Sequence, residues 1–93
     1  MAAKGVPARR KGELRLLAIA QDPEQPADVR VVALTDYARS RRTLSAAQAA
    51  LRRQLLATLA HAGQVQAALA RLIDVDHARV SRLLSRAEGE GRP

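Results

Sequence analysis

An all-α fold, a small helical domain of four to five helices, is predicted by three observations. Apolar residues recur at three- and four-residue spacings along most of the chain, the period of a helix with one buried face. Hydrophobic residues make up 47% of the sequence but are mainly Ala, Leu and Val, with Tyr37 the one aromatic. Such a core forms by close approach of helices rather than by aromatic filling. Finally, start and stop signals fall at intervals that suit short helices: Pro23 and Pro26, then Ser45 with Gln48, then Gly63. The length of 93 residues fits one domain of modest stability.

Residues 1–12 hold Lys4, Arg9, Arg10 and Lys11 among Gly5, Pro7 and Gly12 and are expected to form a basic flexible tail. A single helical domain is expected over residues 13–87. A short first helix over 13–20 carries Leu14, Leu16, Leu17 and Ile19. Pro23 and Pro26 end it, because a helix interior tolerates neither ring. A second helix starts near Ala27 or Asp28, with Asp28 at the positive end of the helix dipole. Val29, Val32, Ala33, Leu34 and Tyr37 give it a wide apolar face, and it closes in Arg39, Ser40, Arg41 and Arg42.

Ser45 and Gln48 predict a capping box for the third helix, and Leu44 stands where a hydrophobic staple toward Ala49 would sit. Ala47, Leu51, Leu55 and Leu59 repeat every four residues, widened by Leu56 and Ala60, while Arg52 and Arg53 are read onto the opposite, wet face. Gly63 is expected to stop this helix in a left-handed conformation. Two short amphipathic segments follow, meeting at Asp74, Val75 and Asp76. Residues 88–93 read as a polar tail.

The formal net charge is +7, which marks a candidate for a polyanionic partner. Arg richness alone also arises from a GC-rich genome, so the placement of the charges has to decide. Cysteine is absent, which removes disulfides, thiolate metal sites and Cys nucleophiles. The basic start before residues 16–20 resembles a signal peptide, but its apolar part is too short and runs into Asp22, Pro23 and Glu24. No apolar run approaches the ~18 residues of a membrane span. The expected location is cytoplasmic, with no membrane partner. Asp74 and Asp76 are the close carboxylates near the last two segments and both have structural roles there. No phosphate loop or nucleophile–base pair stands out, so an enzyme is not expected, nor a cofactor or metal.

Residues 66–84, QAALARLIDVDHARVSRLL, resemble the helix-turn-helix superfamily of bacterial DNA-binding transcriptional regulators. The pattern opens on a polar residue, here Gln66, and continues with an apolar residue followed by Ala, here Leu69 and Ala70. Apolar Ile73 and Val75 flank the turn, Asp76 stands at the cap of the second helix, and β-branched Val80 precedes Leu83 by three positions. One position departs: Asp74 occupies the turn site that is most often Gly. That site needs positive φ, which Asp tolerates better than most residues. The resemblance implies a C-terminal helix-turn-helix over 64–87 whose second helix, 77–87, enters the major groove.

The outward face of that helix carries no carboxylate from His77 through Ala87. A helix in the major groove cannot set carboxylates against phosphates and needs donors that reach base edges. The expected base contacts are His77, Ala78, Ser81 and Arg82. The expected phosphate contacts are Gln66, Arg79, Ser85 and Arg86, with Arg41 and Arg42 either joining them or only closing their own helix. His61 is read as a surface cation at a helix end.

The function expected is sequence-specific binding of double-stranded DNA by a transcriptional regulator. Helix-turn-helix modules usually pair on half-sites, so a homodimer is expected through apolar faces on the first three helices, including Leu14, Leu17, Val29, Val32 and Tyr37. Two alternatives remain. One is a helical adaptor that meets a protein of the transcription machinery; the other is a non-specific DNA-packaging protein. RNA and single strands are disfavoured, since one aromatic makes no stacking platform.

Overall fold

The computed structural model describes residues 8–90, and within them the chain is five helices with no strand. They are α1 (Ala8–Gln21), α2 (Ala27–Arg41), α3 (Ala46–His61), α4 (Gln66–Ile73) and α5 (His77–Glu90). The tail expected over 1–12 lies outside the described residues for 1–7, but from Ala8 the chain is already helical. Ala, Arg and Lys are strong helix formers, and one glycine inside the run costs only about 1 kcal/mol. Gly12 is exposed, and a Cβ there would meet nothing. At the other end α5 likewise runs through Gly89 to Glu90, and the rest of the expected polar tail, 91–93, is outside the described residues.

The helix ends follow local chemistry. Asp22 folds the linker by accepting from the Glu24 amide through its side chain and from the Gln25 amide through its carbonyl. Pro26 stands at the N-cap of α2. Ser45 and Gln48 form the complete capping box of α3. At the far end Gly63 takes φ 104°, with the Gly63 amide on the Ala60 carbonyl and the Gln64 amide on that of Leu59, the paired bonds of a Schellman motif.

Two apolar clusters hold the helices together. The larger joins Val31 of α2 to Leu55 and Leu56 of α3, Leu69, Ala70 and Ile73 of α4, and Val80 and Leu83 of α5. The smaller gathers Ala20, Ala33 and Leu34 between α1 and α2, covered by Leu16, Leu17, Ile19, Tyr37 and Leu44. Leu51 packs against both. α2 is therefore the spine: its Val31 side faces the three C-terminal helices and its Leu34 side faces α1.

Arginines of α2 also tie the ends of its neighbours. Arg30 Nε donates to the Ala20 carbonyl at 2.9 Å, near the end of α1. Arg39 Nη2 donates to the carbonyls of Ile73 at 2.6 Å and Asp74 at 3.0 Å, at the end of α4. The last carbonyls of a helix have no intrahelical donor, so each arginine satisfies groups that water would otherwise have to meet.

Candidate nucleic-acid interface

The corner between α4 and α5 is built by two aspartates. Asp74 sits in the left-handed region at φ 54°, ψ 53°, and the Val75 amide reaches back to the Ala70 carbonyl at 3.0 Å. A non-glycine residue pays for this conformation, and Asp pays less than most. Two residues on, Asp76 Oδ1 accepts from the Arg79 amide at 2.8 Å, an N-cap bond that starts α5. Val75 between them packs on the larger cluster, and Ala70 is buried within it. The departure from Gly at position 74 is thus accommodated, and Arg39 braces the same corner through the Ile73 and Asp74 carbonyls.

With Val80 and Leu83 buried and Leu84 and Ala87 half-buried, α5 leaves His77, Ala78, Arg79, Ser81, Arg82, Ser85 and Arg86 exposed. All the residues read from the sequence as base contacts are on this outer surface, but they fall into three groups. His77 and Ala78 stand at its N-terminal tip. Ser81 and Ser85 line a groove shared with His61 and with Gln64, Val65 and Gln66 at the start of α4. α4 begins there at Val65 with no side-chain hydrogen bond capping it. Glu88 also lines this groove.

Arg79, Arg82 and Arg86 form the third group and turn toward α3. There, with Ala49, Arg52, Arg53 and Leu83, they line a cleft of about 400 Å³ to which, among the described residues, no acidic side chain contributes. A neighbouring cleft, lined by Arg39, Arg42, Arg52 and Arg79 among others, continues it toward the end of α2. The two share Arg52 and Arg79, so a basic band runs from Arg42 across α3 to Arg86. No acidic residue occurs in the sequence between Asp36 and Asp74.

Arg52 corrects the reading that put it on a wet face. It is only partly exposed, and its Nε is buried without a hydrogen-bond partner. Burial holds its pKa below the usual arginine range, and the positive charges of Arg79 and Arg53 lower it further. A signal was present in the sequence. The three- and four-residue steps that connect Leu59, Leu56 and Leu55 extend back to position 52, the edge of the buried stripe.

Of the remaining phosphate candidates, Arg42 is exposed, lines the neighbouring cleft and takes φ 64° at the C-cap of α2. Its amide donates to the Ala38 carbonyl. Arg41 points elsewhere: it pairs at 4.0 Å with Glu13 of α1, whose other oxygen accepts from Ser40 Oγ. That places Arg41 on the α1–α2 side, apart from the α5 surface. Among the described residues no three of His, Asp and Glu gather where a metal would bind, and no helix is long and apolar enough to cross a membrane.

No protein family, curated protein or solved structure matches the chain.

Proposed function

We propose that the protein binds double-stranded DNA sequence-specifically as a transcriptional regulator, with α5 in the major groove. The observation that carries this reading is the α4–α5 corner. Positive φ at Asp74, the Asp76 cap, close-packed Ala70 and buried Val80 form one unit that leaves a carboxylate-free face over 77–87. In this pose Ala78 and Arg82 reach base edges, with His77 and Ser81 beside them. Arg is the commonest specific reader of guanine, through its O6 and N7. Arg79, Arg86 and Arg42 meet phosphates of one strand. The amides that open α4, with Gln66 and Ser85, meet the other, since a helix start favours an anion. Glu88 sits at the far end of that second side, which leaves most of the electrostatic attraction to the arginine side.

The regulator pairs with a second copy of itself. Val29 and Leu72 are 42% and 37% exposed and line a shallow, mainly apolar groove with Leu16, Ile19, Val32 and Ala33, with Asp28 and Asp36 also in its lining. Of the residues read from the sequence as pairing surfaces, Leu17 and Tyr37 pack on the smaller cluster, Val32 both packs on the larger cluster and lines the groove, and Leu14 is exposed outside the groove. The groove between α1, α2 and α4 is therefore the pairing face of choice.

The test is a titration of duplexes carrying the selected site and of scrambled duplexes. Arg82→Ala should cost roughly 1–3 kcal/mol on the site and relax one base position. Arg41→Ala should leave affinity unchanged because Glu13 already holds that side chain. An unchanged specific-to-nonspecific ratio in Arg82→Ala would reduce the α4–α5 corner to packing.

A further inference from the structure

We propose that the cleft between α3 and α5 is a discrete site for a run of two or more linked phosphate groups, with Arg52 at its floor. Its walls are Arg53 and the arginines at 79, 82 and 86 of α5. The inference shares α5 with the DNA reading but stands on the cleft itself, and the source of the phosphates is either a nucleic-acid strand or a soluble oligophosphate.

Three features of the cleft converge. First, guanidinium groups from two helices line one opening with no carboxylate among its described lining residues. Ordinary solvated surfaces intersperse both signs. Second, the Arg52 Nε donor is buried and unpartnered. A buried donor left without an acceptor is costly, and such groups cluster where a missing partner binds. Third, Arg52 feels its like-charged neighbours Arg79 and Arg53 as well as desolvation, both of which disfavour its charge. An anion in the cleft opposes the repulsion and offsets the lost hydration by direct pairing.

Phosphate fits the donor set better than a lone carboxylate. The guanidinium fork binds phosphate oxygens two at a time. One phosphodiester offers two free oxygens and occupies one or two such forks, fewer than the cleft presents. A chain of linked phosphates engages Arg52 together with several of the α5 arginines, and a volume of about 400 Å³ leaves room for it.

The probe is inorganic tripolyphosphate, titrated calorimetrically at fixed ionic strength into the wild type, Arg52→Met and Arg71→Met. Arg71 is exposed on α4 and lines neither arginine cleft, so both variants lose one charge but only one loses the floor. Tripolyphosphate should bind the wild type and Arg71→Met alike, and Arg52→Met roughly tenfold more weakly. Equal weakening in both variants would overturn the site in favour of diffuse charge attraction. So would equal binding of a hexaglutamate peptide, which would make the surface a protein contact. Competition with a short duplex separates the sources. Displacement of tripolyphosphate by duplex assigns the cleft to a strand backbone. Binding of tripolyphosphate with no duplex binding keeps the site and removes the DNA reading. Duplex binding that neither tripolyphosphate nor Arg52→Met disturbs keeps the DNA reading and removes the site.

Discussion

Replacing Arg52 by Met should make the protein more stable while it weakens anion binding. The thioether keeps an unbranched stem of similar length against α5, so packing is largely retained. What disappears is a buried Nε with no partner and a charge held near Arg79 and Arg53. An unsatisfied buried donor costs about 1–3 kcal/mol. Because part of the side chain reaches solvent, which screens its charge, the low end applies, about 1 kcal/mol. For a domain of this size that raises Tm by roughly 4–8 °C. The assay is thermal unfolding followed by circular dichroism in phosphate-free, low-salt buffer. Added salt should narrow the gap, since part of it is like-charge repulsion. The pH dependence has a definite sign. The folded-state pKa of Arg52 lies below the ordinary arginine value, so the unfolded chain holds the proton more tightly. The penalty is constant through neutral pH and is relieved only as pH rises through the alkaline window between the two values. A variant that melts below the wild type would refute the reasoning. It would mean that the guanidinium is a structural donor in the free protein.

Three further outcomes are expected, from the corner, its brace and the C-cap of α2. Asp76→Ala removes the cap of α5 and should cost about 1 kcal/mol, read as a lower denaturant midpoint with unchanged slope. Arg39→Met leaves the Ile73 and Asp74 carbonyls without their donor. It should cost about 1–2 kcal/mol and increase hydrogen exchange at Val75 and Ile73 more than at Leu34; uniform change would deny Arg39 its bracing role. Arg42→Gly relieves a left-handed φ at an exposed cap and should raise stability by up to about 1 kcal/mol, which a chemical-denaturation curve will check against Arg42→Ala.

Legibility followed the range of the forces involved. The capping box at Ser45, the stop at Gly63, the strained Asp74 and the cap at Asp76 are settled within three or four residues, and each reads directly from the letters. The start of α1 is less legible because Gly12 and the strong helix formers before it point in opposite directions, and the outcome is a small difference of propensities. Side chains whose partners are distant in sequence were not legible. Arg39 reaches α4 thirty-four and thirty-five positions away, and Arg41 finds Glu13 on α1. Arg52 shares a stripe edge with Leu55 and Leu56, but whether that edge is covered depends on how α5 lies across α3. The outer face of α5 was read as one surface. Packing divides it into a serine side toward the end of α3 and the start of α4, and an arginine side toward the earlier turns of α3.

Selection from random duplexes, followed by sequencing of the bound pool, tests the DNA reading most directly. Enrichment of a palindromic consensus is expected, with half-sites about one helical turn apart, bound with an affinity that falls steeply with salt and lost in Arg82→Ala. A pool that stays random, bound no differently from scrambled duplex, would contradict it.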